Sequence, residues 1–495
     1  MKKRNPKFVR FTFAIQCLGA TISLLVVVAL FLAFTSYRWL QTNFYSDNNK
    51  QKPLNIILLY GDDWRHDSLG IAGRDPVHTP FLDRLASREG LRFTESAVTT
   101  SVCWISRATL HTGQYLSRHE SFLLNRPEFY KRFNESFPVM LKKAGYHLGH
   151  VGKWHYQNHK EVTEPWYDFV RVYEGQHWFP KSPADAASSN SESNNLVHIT
   201  KRNQRDSIQF LRERPRNQPF YLTVAFFAPH AVDQAEDQYF PQPQSMIWYQ
   251  NVTLSPPSNM EESWKRMPNF FTEENQGRRR WSQRFDQPEK YDRMMKNYYR
   301  LISEVDAACG KIVQEIDRQG ILDETLIIFT TDNGYFHAEH GLADKWYPHA
   351  ESVRVPLIVR DPRMPWMKRG TTEDAFVLSV DLAPTILTAA NVAPGANMQG
   401  QDFAQLYLNA NAKTSWRQDY FYEHPTLVSM RTIPSSTALI SKEYKYIHWP
   451  DFDQEQLFDL RKDPGEETDL VADPRYADIL ERLGKRHNVL KQSVV

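Results

Sequence analysis

The chain has 495 residues, of which 41% are hydrophobic and 13% aromatic, a composition that excludes a disordered protein and allows a large buried core. Its 60 Lys and Arg residues face 58 Asp and Glu residues, and the resulting net charge of +2 gives no electrostatic basis for nucleic acid as a partner. The three cysteines are too few for a disulfide framework: Cys17, Cys103 and Cys309.

The N-terminus is predicted to anchor the chain in a membrane. Residues 1–10 contain five basic side chains and form a predicted cytoplasmic tail. Residues 11–37 contain no charged side chain and are apolar enough for a transmembrane signal-anchor helix. With residues 38–52 as a linker, we expect the rest of the chain outside the cytoplasm, in the cell envelope or the secretory pathway. A cleaved signal peptide, which would make the protein secreted, is the alternative.

Apolar runs that alternate with helical spacing predict an α/β fold. The run Asn55–Tyr60, ended by Gly61, is typical of a strand buried on both faces of a parallel sheet. Similar runs follow at Phe220–Ala228, Leu326–Thr330 and Pro356–Val359. Helical spacing occurs between them, for example at Thr79–Gly90 and Asn297–Gln319. We therefore predict a mostly parallel sheet covered by helices on both sides.

Two polar insertions interrupt this pattern, at 181–195 and 232–290. Their Ser, Asn, Pro and Gln clusters are typical of surface loops. The second insertion contains Arg278, Arg279 and Arg280, which we interpret as part of a solvated loop. A lid that faces the substrate is the alternative.

The C-terminal part of the chain is predicted to form a small antiparallel sheet. Three short runs have the composition of strands: Ala438–Ile440, Tyr444–Ile447 and Gln456–Leu460. We therefore divide the chain after the linker into a main domain at 53–409 and a C-terminal subdomain at 410–495.

Two pairs of oxygen-bearing side chains follow predicted strands directly. Asp62 and Asp63 come after the first strand, and Asp332 and Asn333 after the run that ends at Thr330. Because the carboxyl ends of parallel strands share one edge of a sheet, all four side chains could meet there. Adjacent carboxylates repel each other unless a cation lies between them, and oxygen ligands favour Ca²⁺ or Mg²⁺ over Zn²⁺. A turn or a helix cap is the alternative for either pair taken alone.

Cys103 lies in a sequence context that favours chemistry over simple packing. An isolated cysteine is most often a small buried hydrophobe. Here Arg107 follows four residues later, with a predicted helix start between the two residues. A sulfur at a helix N-terminus beside a fixed positive charge is placed where an anion would bind.

This segment resembles the sulfatase signature C-x-P-S-R-x-x-x-x-T-G, in which the cysteine is oxidised to formylglycine. Five positions match, and Ile105 departs from the pattern where the family has proline or alanine: the matching residues are Cys103, Ser106, Arg107, Thr112 and Gly113. Residues 145–155 are similar to the family's G-Y-x-T-x-x-x-G-K-W-H, with Lys153 and His155 in place. The segment that ends in His230 resembles the A-P-H motif, and residues 332–357 resemble the series that contains the second lysine, Lys345.

The resemblance covers roughly residues 53–475, and it implies a fold, a cofactor set and partners. The fold implied is the alkaline-phosphatase-like α/β sandwich, here with the C-terminal antiparallel subdomain and the N-terminal transmembrane helix; residues 53–409 would be the catalytic domain. A formylglycine-generating enzyme would convert Cys103. A divalent metal, usually Ca²⁺ with Mg²⁺ as the other choice, would bind an oxygen of modified Cys103 and the four strand-end residues: Asp62, Asp63, Asp332 and Asn333.

The resemblance also implies catalytic roles. Cys103 would be the precursor of the nucleophile, and Arg107 would orient it. His155 would assist release of sulfate, and His230 or Lys345 would protonate the leaving oxygen. Lys153 and Lys345 would bind the sulfate, with His230 beside it.

The predicted activity is hydrolysis of the sulfate ester of an O-sulfated carbohydrate, of polysaccharide or glycosaminoglycan type. The segment Tyr420–Pro425 looks like that of sulfatases acting on sulfated sugars; its Glu423 and His424 either contact a sugar or form a structural hydrogen-bonded pair. The alternatives are an arylsulfatase, a phosphoester or phosphonate hydrolase of the same superfamily, and an inactive sulfate-binding homologue. Ile105 is the reason for the last of these.

Overall fold

An eight-stranded sheet lies at the centre of the computed structural model, which describes residues 52–122, 132–155, 159–182, 195–257 and 260–495. The spatial order of the strands is β8-β2-β7-β6-β1-β5-β3-β4. In chain order they are β1 (Asn55–Gly61), β2 (Leu91–Phe93), β3 (His147–Gly152), β4 (Phe169–Val172), β5 (Phe220–Ala225), β6 (Thr325–Thr331), β7 (Leu357–Arg360) and β8 (Thr371–Glu373).

The three central strands are parallel and buried. Leu58 of β1 is in register with Thr223 of β5 on one side and with Ile328 of β6 on the other. Their side chains have almost no exposed surface, as expected of continuous apolar runs between two helical layers. Strand β7, by contrast, is antiparallel to both β6 and β2. The sheet is therefore mostly parallel, as predicted, with one reversed strand.

Helices cover both faces of this sheet, each over its own apolar cluster. The helices are α1 (Pro80–Arg84), α2 (Cys103–Thr112), α3 (Leu116–His119), α4 (Phe137–Lys143), α5 (His159–Thr163), α6 (Ile199–Glu213), α7 (Met260–Arg266), α8 (Gln276–Arg284), α9 (Pro288–Arg318), α10 (Ala350–Val353), α11 (Leu382–Ala389), α12 (Gln405–Leu408) and α13 (Ala477–Val494). The long helix α9 contains the predicted segment and begins earlier, at a proline suited to a helix start.

A second, four-stranded sheet follows the main one and is antiparallel throughout. Helix α13 packs against it through Leu483. Its strands are β9 (Asp419–His424), β10 (Ser436–Ser441), β11 (Tyr444–Trp449) and β12 (Gln454–Asp459). Short two-stranded ribbons complete the described strands: Ser96–Ala97 with Val377–Leu378, Trp178–Pro180 with Leu196–His198, and Phe336–His337 with Ala343–Asp344.

The insertion at 232–290 differs from the predicted solvated loop. It contains helices α7 and α8, and Arg278 is buried between the rings of Trp264 (4.5 Å) and Trp281 (3.8 Å). Cation–π contact and the carboxylates of Glu273 and Glu261 in the same insertion offset the cost of burying its guanidinium. The solvated-loop interpretation of this arginine cluster is therefore wrong for Arg278.

The prediction of a transmembrane helix is contradicted. Across the described ranges, the structure has no helix that combines the length and the apolar character needed to cross a membrane. Helix α9 is long enough, but charged residues such as Lys296 and Lys311 interrupt it, and its apolar face packs in the core. Residues 1–10, 11–37 and most of 38–52 lie outside the described residues. We correct the fold class to the α/β sandwich with small antiparallel sheets, and withdraw the membrane partner and the single-pass localisation.

Candidate active site

The two pairs of oxygen-bearing side chains meet at the carboxyl edge of the central sheet. Asp62 and Asp63 follow β1, and Asp332 and Asn333 follow the adjacent strand β6. The two loops are joined directly: the Trp64 N–H donates to the Asn333 carbonyl (3.2 Å), and the Asp63 N–H donates to Asp332 Oδ1 (3.3 Å). All four predicted residues are fully buried, so their charges act on each other with little screening by water.

Cys103 is the first residue of helix α2 and points at this edge. Its thiol donates to Asp62 Oδ1 and to Asn333 Oδ1, both at 3.5 Å. The helix starts here because Val102 is extended, and it ends at Gly113, whose φ of 65° suits glycine. Burial raises the pKa of the thiol well above its usual range, against the opposing effect of Lys153 and Lys345. The unmodified residue is therefore a neutral thiol at physiological pH.

Two buried lysines neutralise the carboxylates. Lys153 follows β3 and donates to Asp62. Lys345 donates to Asp63 and, at 3.1 Å, to Cys103 Sγ. Gly152 is required before Lys153, because a Cβ there would collide with the carbonyl oxygen of Ala225. The structure thus brings Lys345 to the sulfur, and Lys153 to Asp62, whose other oxygen accepts from the Cys103 thiol.

Arg107 lies one helical turn after Cys103 and binds the carboxylate of Asp332. Its Nη2 and Nε donate to Asp332 Oδ2 at 2.7 Å and 3.1 Å, and its Nη1 donates to the Lys153 carbonyl at 3.1 Å. The Tyr60 ring lies under the guanidinium at 5.1 Å. Burial and the charge of Asp62 raise the pKa of Asp332 to about 7, and Arg107 opposes this rise.

Replacing Arg107 with methionine is expected to lower the free energy of unfolding by about 3–5 kcal/mol, because it leaves Asp332 buried without its partner. We also expect the predicted release of sulfate, measured on folded protein, to fall at least about 10²-fold. Thermal melting and initial rates measure the two effects. Arg417→Met is the matched control, since it removes an arginine from Asp381 (2.8 Å) in another buried pair. Equal loss of rate in both variants would contradict a specific role for Arg107.

The two predicted catalytic histidines, His155 and His230, have different surroundings. His230 Nε2 is 3.5 Å from Asp63 Oδ2, and its Nδ1 lies 2.6 Å from the Ala231 carbonyl. The His155 ring stacks on Trp104, with centroids 5.9 Å apart, and its Nδ1 has no hydrogen-bond partner among the described residues. Its backbone N–H donates to Glu174 (2.9 Å).

Burial, followed by the charge of Lys153, lowers the pKa of both imidazoles. His155 and His230 are therefore neutral at physiological pH and able to accept a proton. Burial by itself would raise the pKa of Asp62, but the cations Lys153, Arg107 and Lys345 hold it well below its usual range. Asp62 is therefore an anion in the folded protein.

The residues present could hold a divalent cation. One ligand atom each from Asp62, Asp63, Cys103 and His230 lies within 4.8 Å of the others. Two of these donors are carboxylates, the type that Ca²⁺ and Mg²⁺ prefer. Asp332 is outside this group, since its oxygens accept from Arg107 and from the backbone of Asp63.

Sequence reasoning missed two contacts around the site and left the role of Glu423 open. His230 was not predicted as a neighbour of the metal-ligand acids, although its motif follows strand β5, the neighbour of β1. Trp104 stacks on His155, and its position next to Cys103 was an available signal. Glu423 has a structural role of another kind than the predicted pair with His424: it accepts from the Ser117 N–H (3.0 Å) and hydroxyl (3.1 Å).

Comparisons with known proteins agree with this geometry. The chain matches the family model "Sulfatase" over residues 54–392 and the model "N-sulphoglucosamine sulphohydrolase, C-terminal" over residues 338–493. It is 24% identical over 486 residues to N-acetylglucosamine-6-O-sulfatase of Bacteroides thetaiotaomicron. That alignment covers 86% of this chain and 83% of the relative.

Two solved structures share the fold. A protein in complex with its substrate D-glucosamine-2-N,6-O-disulfate superposes with a TM-score of 0.72 and 22% identity, over 90% of this chain and 98% of that one. The phosphonate monoester hydrolase of Agrobacterium radiobacter superposes with a TM-score of 0.70 and 20% identity. The superposition covers 89% of this chain and 96% of that one. The sulfatase model spans more than half of the chain, so the predicted family is confirmed. The chain belongs to the sulfatase family and is a sulfuric ester hydrolase.

Proposed function

We propose that the protein removes sulfate from an O-sulfated carbohydrate, of the polysaccharide or glycosaminoglycan type, with a formylglycine made from Cys103. One observation supports this most strongly: the Cys103 sulfur lies between side-chain oxygens at two strand ends, Asp62 Oδ1 and Asn333 Oδ1, and the Lys345 ammonium. A nucleophile at that point would have a cationic group for the sulfate on one side and metal ligands on the other.

Formylglycine at position 103 would supply, as its hydrate, two hydroxyl groups, one as the nucleophile and one for release of sulfate. Lys153 and Lys345 bind the sulfuryl oxygens, because both remain ammonium groups: neighbouring anions raise the pKa of each despite burial. Arg107 holds Asp332 beside the nucleophile, and Asp332 accepts its proton. His155 accepts the proton that leaves when sulfate is released, and the departing oxygen takes a proton from Lys345, or from His230 after that imidazole has itself accepted one.

The predicted metal ligands are Asp62, Asp63, Asp332, Asn333 and an oxygen of the modified residue at position 103. We propose Ca²⁺, with Mg²⁺ as the other choice, because these ligands are oxygens. The cation would withdraw electrons from the sulfuryl group.

Formation of formylglycine is a separate proposal, since Ile105 departs from the family signature. In the fold, Ile105 is fully buried and belongs to the same apolar cluster as Val102. Packing in this cluster does not require a proline at position 105. Peptide mass spectrometry on protein from its native host tests the modification. We expect the peptide to have the mass of formylglycine at position 103; thiol alone would leave an unmodified sulfate-binding protein as the function.

Sulfated glucosamine units are the substrates that we propose first. The relative from Bacteroides thetaiotaomicron is named for N-acetylglucosamine 6-O-sulfate, and the solved neighbour binds a disulfated glucosamine. The match to the C-terminal model of N-sulphoglucosamine sulphohydrolase also supports an amino sugar.

A substrate panel tests this assignment. Sulfate release is measured from 6-O-sulfated and N-sulfated glucosamine, from sulfated oligosaccharides, and from an aryl sulfate paired with its phosphate and phosphonate analogues. We expect kcat/KM to be highest on a sulfated sugar, by at least about 10²-fold over the aryl sulfate, because sugar contacts add binding energy in the transition state. Release from aryl sulfates alone would contradict the carbohydrate assignment, and a preference for phosphonate would favour the alternative hydrolase.

A further inference from the structure

Helix α8, part of the insertion at 232–290, packs beside the segment that contains Lys345. Asn275 Oδ1 accepts hydrogen bonds from the Gly277 N–H (2.9 Å) and from the Tyr347 hydroxyl (2.7 Å). A Cβ on Gly277 would lie 3.1 Å from both Leu342 and Tyr347, closer than ordinary packing allows. The start of the helix is therefore fixed against residues on both sides of Lys345.

The other part of helix α8 places two arginines against two aspartates. Arg284 donates to Asp344 and, at 2.9 Å, to Asp233. Arg280 Nη2 lies 2.9 Å from Asp233, and its Nε lies 3.4 Å from Asp344. Arg284 and Asp344 are buried, so the ion pair between them is shielded from water and from salt. We call these four residues the α8 ion cluster.

The two aspartates of the α8 ion cluster belong to two segments of the active site. Asp344 directly precedes Lys345, whose ammonium lies 3.1 Å from Cys103 Sγ. Asp233 follows His230 by three residues. The cluster therefore ties the Lys345 segment to the His230 segment through a single helix.

The backbone around Lys345 depends on external support. Asp344 has a φ of 69° and Trp346 a φ of 86°, both in the left-handed region that residues with side chains disfavour. Such conformations persist where the surrounding structure holds them, and they occur often at functional sites. The two arginines on Asp344 provide that support on one side of Lys345.

We propose that Arg280 and Arg284 are positioning residues for hydrolysis of the sulfate ester: by holding Asp344 and Asp233, they keep the Lys345 ammonium at Cys103. Neither arginine contacts the sulfur or the proposed metal ligands in the described hydrogen bonds and ion pairs. The proposal rests on the proposed function for its effect on rate, but its geometric part does not depend on turnover.

The kinetic test uses Asp344→Asn, Arg280→Met and Arg284→Lys. We expect the first two to lower kcat about 10²-fold with KM changed much less, since a misplacement of about 1 Å costs that much. Arg284→Lys keeps the positive charge and should therefore lower kcat less than the other two variants do. Arg278→Met is the matched control, because Arg278 lies on the same helix, is buried, and does not contact Asp344. We expect it to melt earlier and to keep kcat within about twofold.

A double-mutant cycle separates positioning from general destabilisation. In a Lys345→Met background, Asp344→Asn should change kcat by less than about threefold, because the group that it positions is gone. An undiminished effect in that background, or an unchanged kcat in Asp344→Asn itself, would overturn the proposal. If Asp344→Asn does not fold, Arg280→Met serves in its place, since Arg280 is 13% exposed.

Crystal structures of Arg280→Met and Arg284→Lys distinguish failure of this proposal from failure of the proposed function. We expect the Lys345 ammonium to leave its position 3.1 Å from Cys103 Sγ in Arg280→Met and to stay closer to it in Arg284→Lys. A Lys345 that does not move in Arg280→Met would overturn the proposal, whatever the wild type does. A wild type without sulfate release would contradict the proposed function alone.

Discussion

Replacing Cys103 with alanine is expected to lower the rate of sulfate release by at least about 10⁴-fold, because loss of a nucleophile commonly lowers kcat by that factor or more. Alanine lacks the thiol-bearing Cβ that would be converted to the aldehyde of formylglycine, and no neighbouring described residue would supply a hydroxyl at the start of helix α2. The measurement is sulfate released per mole of folded protein, with folding checked by thermal melting.

Cys309→Ala is the matched control for this experiment. Cys309 is also buried in a helix, α9, and lies in an apolar cluster away from the carboxylates. We expect this variant to lose about 1 kcal/mol of stability and to keep its rate. If Cys103→Ala kept more than about a hundredth of the wild-type rate, position 103 would not supply the nucleophile.

Removing divalent cations is expected to have the second largest effect. Treatment with EDTA should abolish sulfate release, and Ca²⁺ should restore it, because Asp62 and Asp63 offer adjacent buried carboxylates. A readout without turnover is available as well. Free Ca²⁺ at a hundred times its Kd should add about 2.7 kcal/mol to the free energy of unfolding, which raises the melting temperature.

Two variants test where the cation binds. Asp62→Asn should lose the calcium-dependent rise in melting temperature. Asp306→Asn should keep it, since the Asp306 carboxylate is equally buried but accepts the backbone N–H groups of Phe81 (3.1 Å) and Leu82 (2.8 Å) at the start of helix α1. A calcium response that survives in Asp62→Asn would place the cation elsewhere.

The strands of the central sheet were predictable because their burial on both faces leaves a continuous apolar run. The predicted run Asn55–Tyr60 became β1 at Asn55–Gly61, and Leu326–Thr330 became β6 at Thr325–Thr331. The run at Pro356–Val359 was also located, but its direction was not predictable. Strand direction depends on the path of the connection, and here β7 runs antiparallel to β6.

The second insertion was less predictable, because charged residues are usually solvated. Three arginines in a polar stretch favoured a surface loop, yet Arg284, four residues after Arg280, is fully buried. Its partners, Asp233 and Asp344, lie 51 and 60 residues away in the chain. Local composition contains no information about such distant partners.

The sequence by itself determined which residue types the site contains: a cysteine with an arginine four positions later, oxygen side chains after two buried strands, and the motifs of the family. Only the tertiary structure decided how they pair. Arg107 meets Asp332 across 225 positions, and Lys345 meets Asp63 across 282. Neighbouring charges keep Asp62 anionic and Lys345 cationic despite their burial, whereas burial keeps His155 neutral. Protonation depends on the folded environment, because desolvation and Coulomb energies act through space and not along the chain.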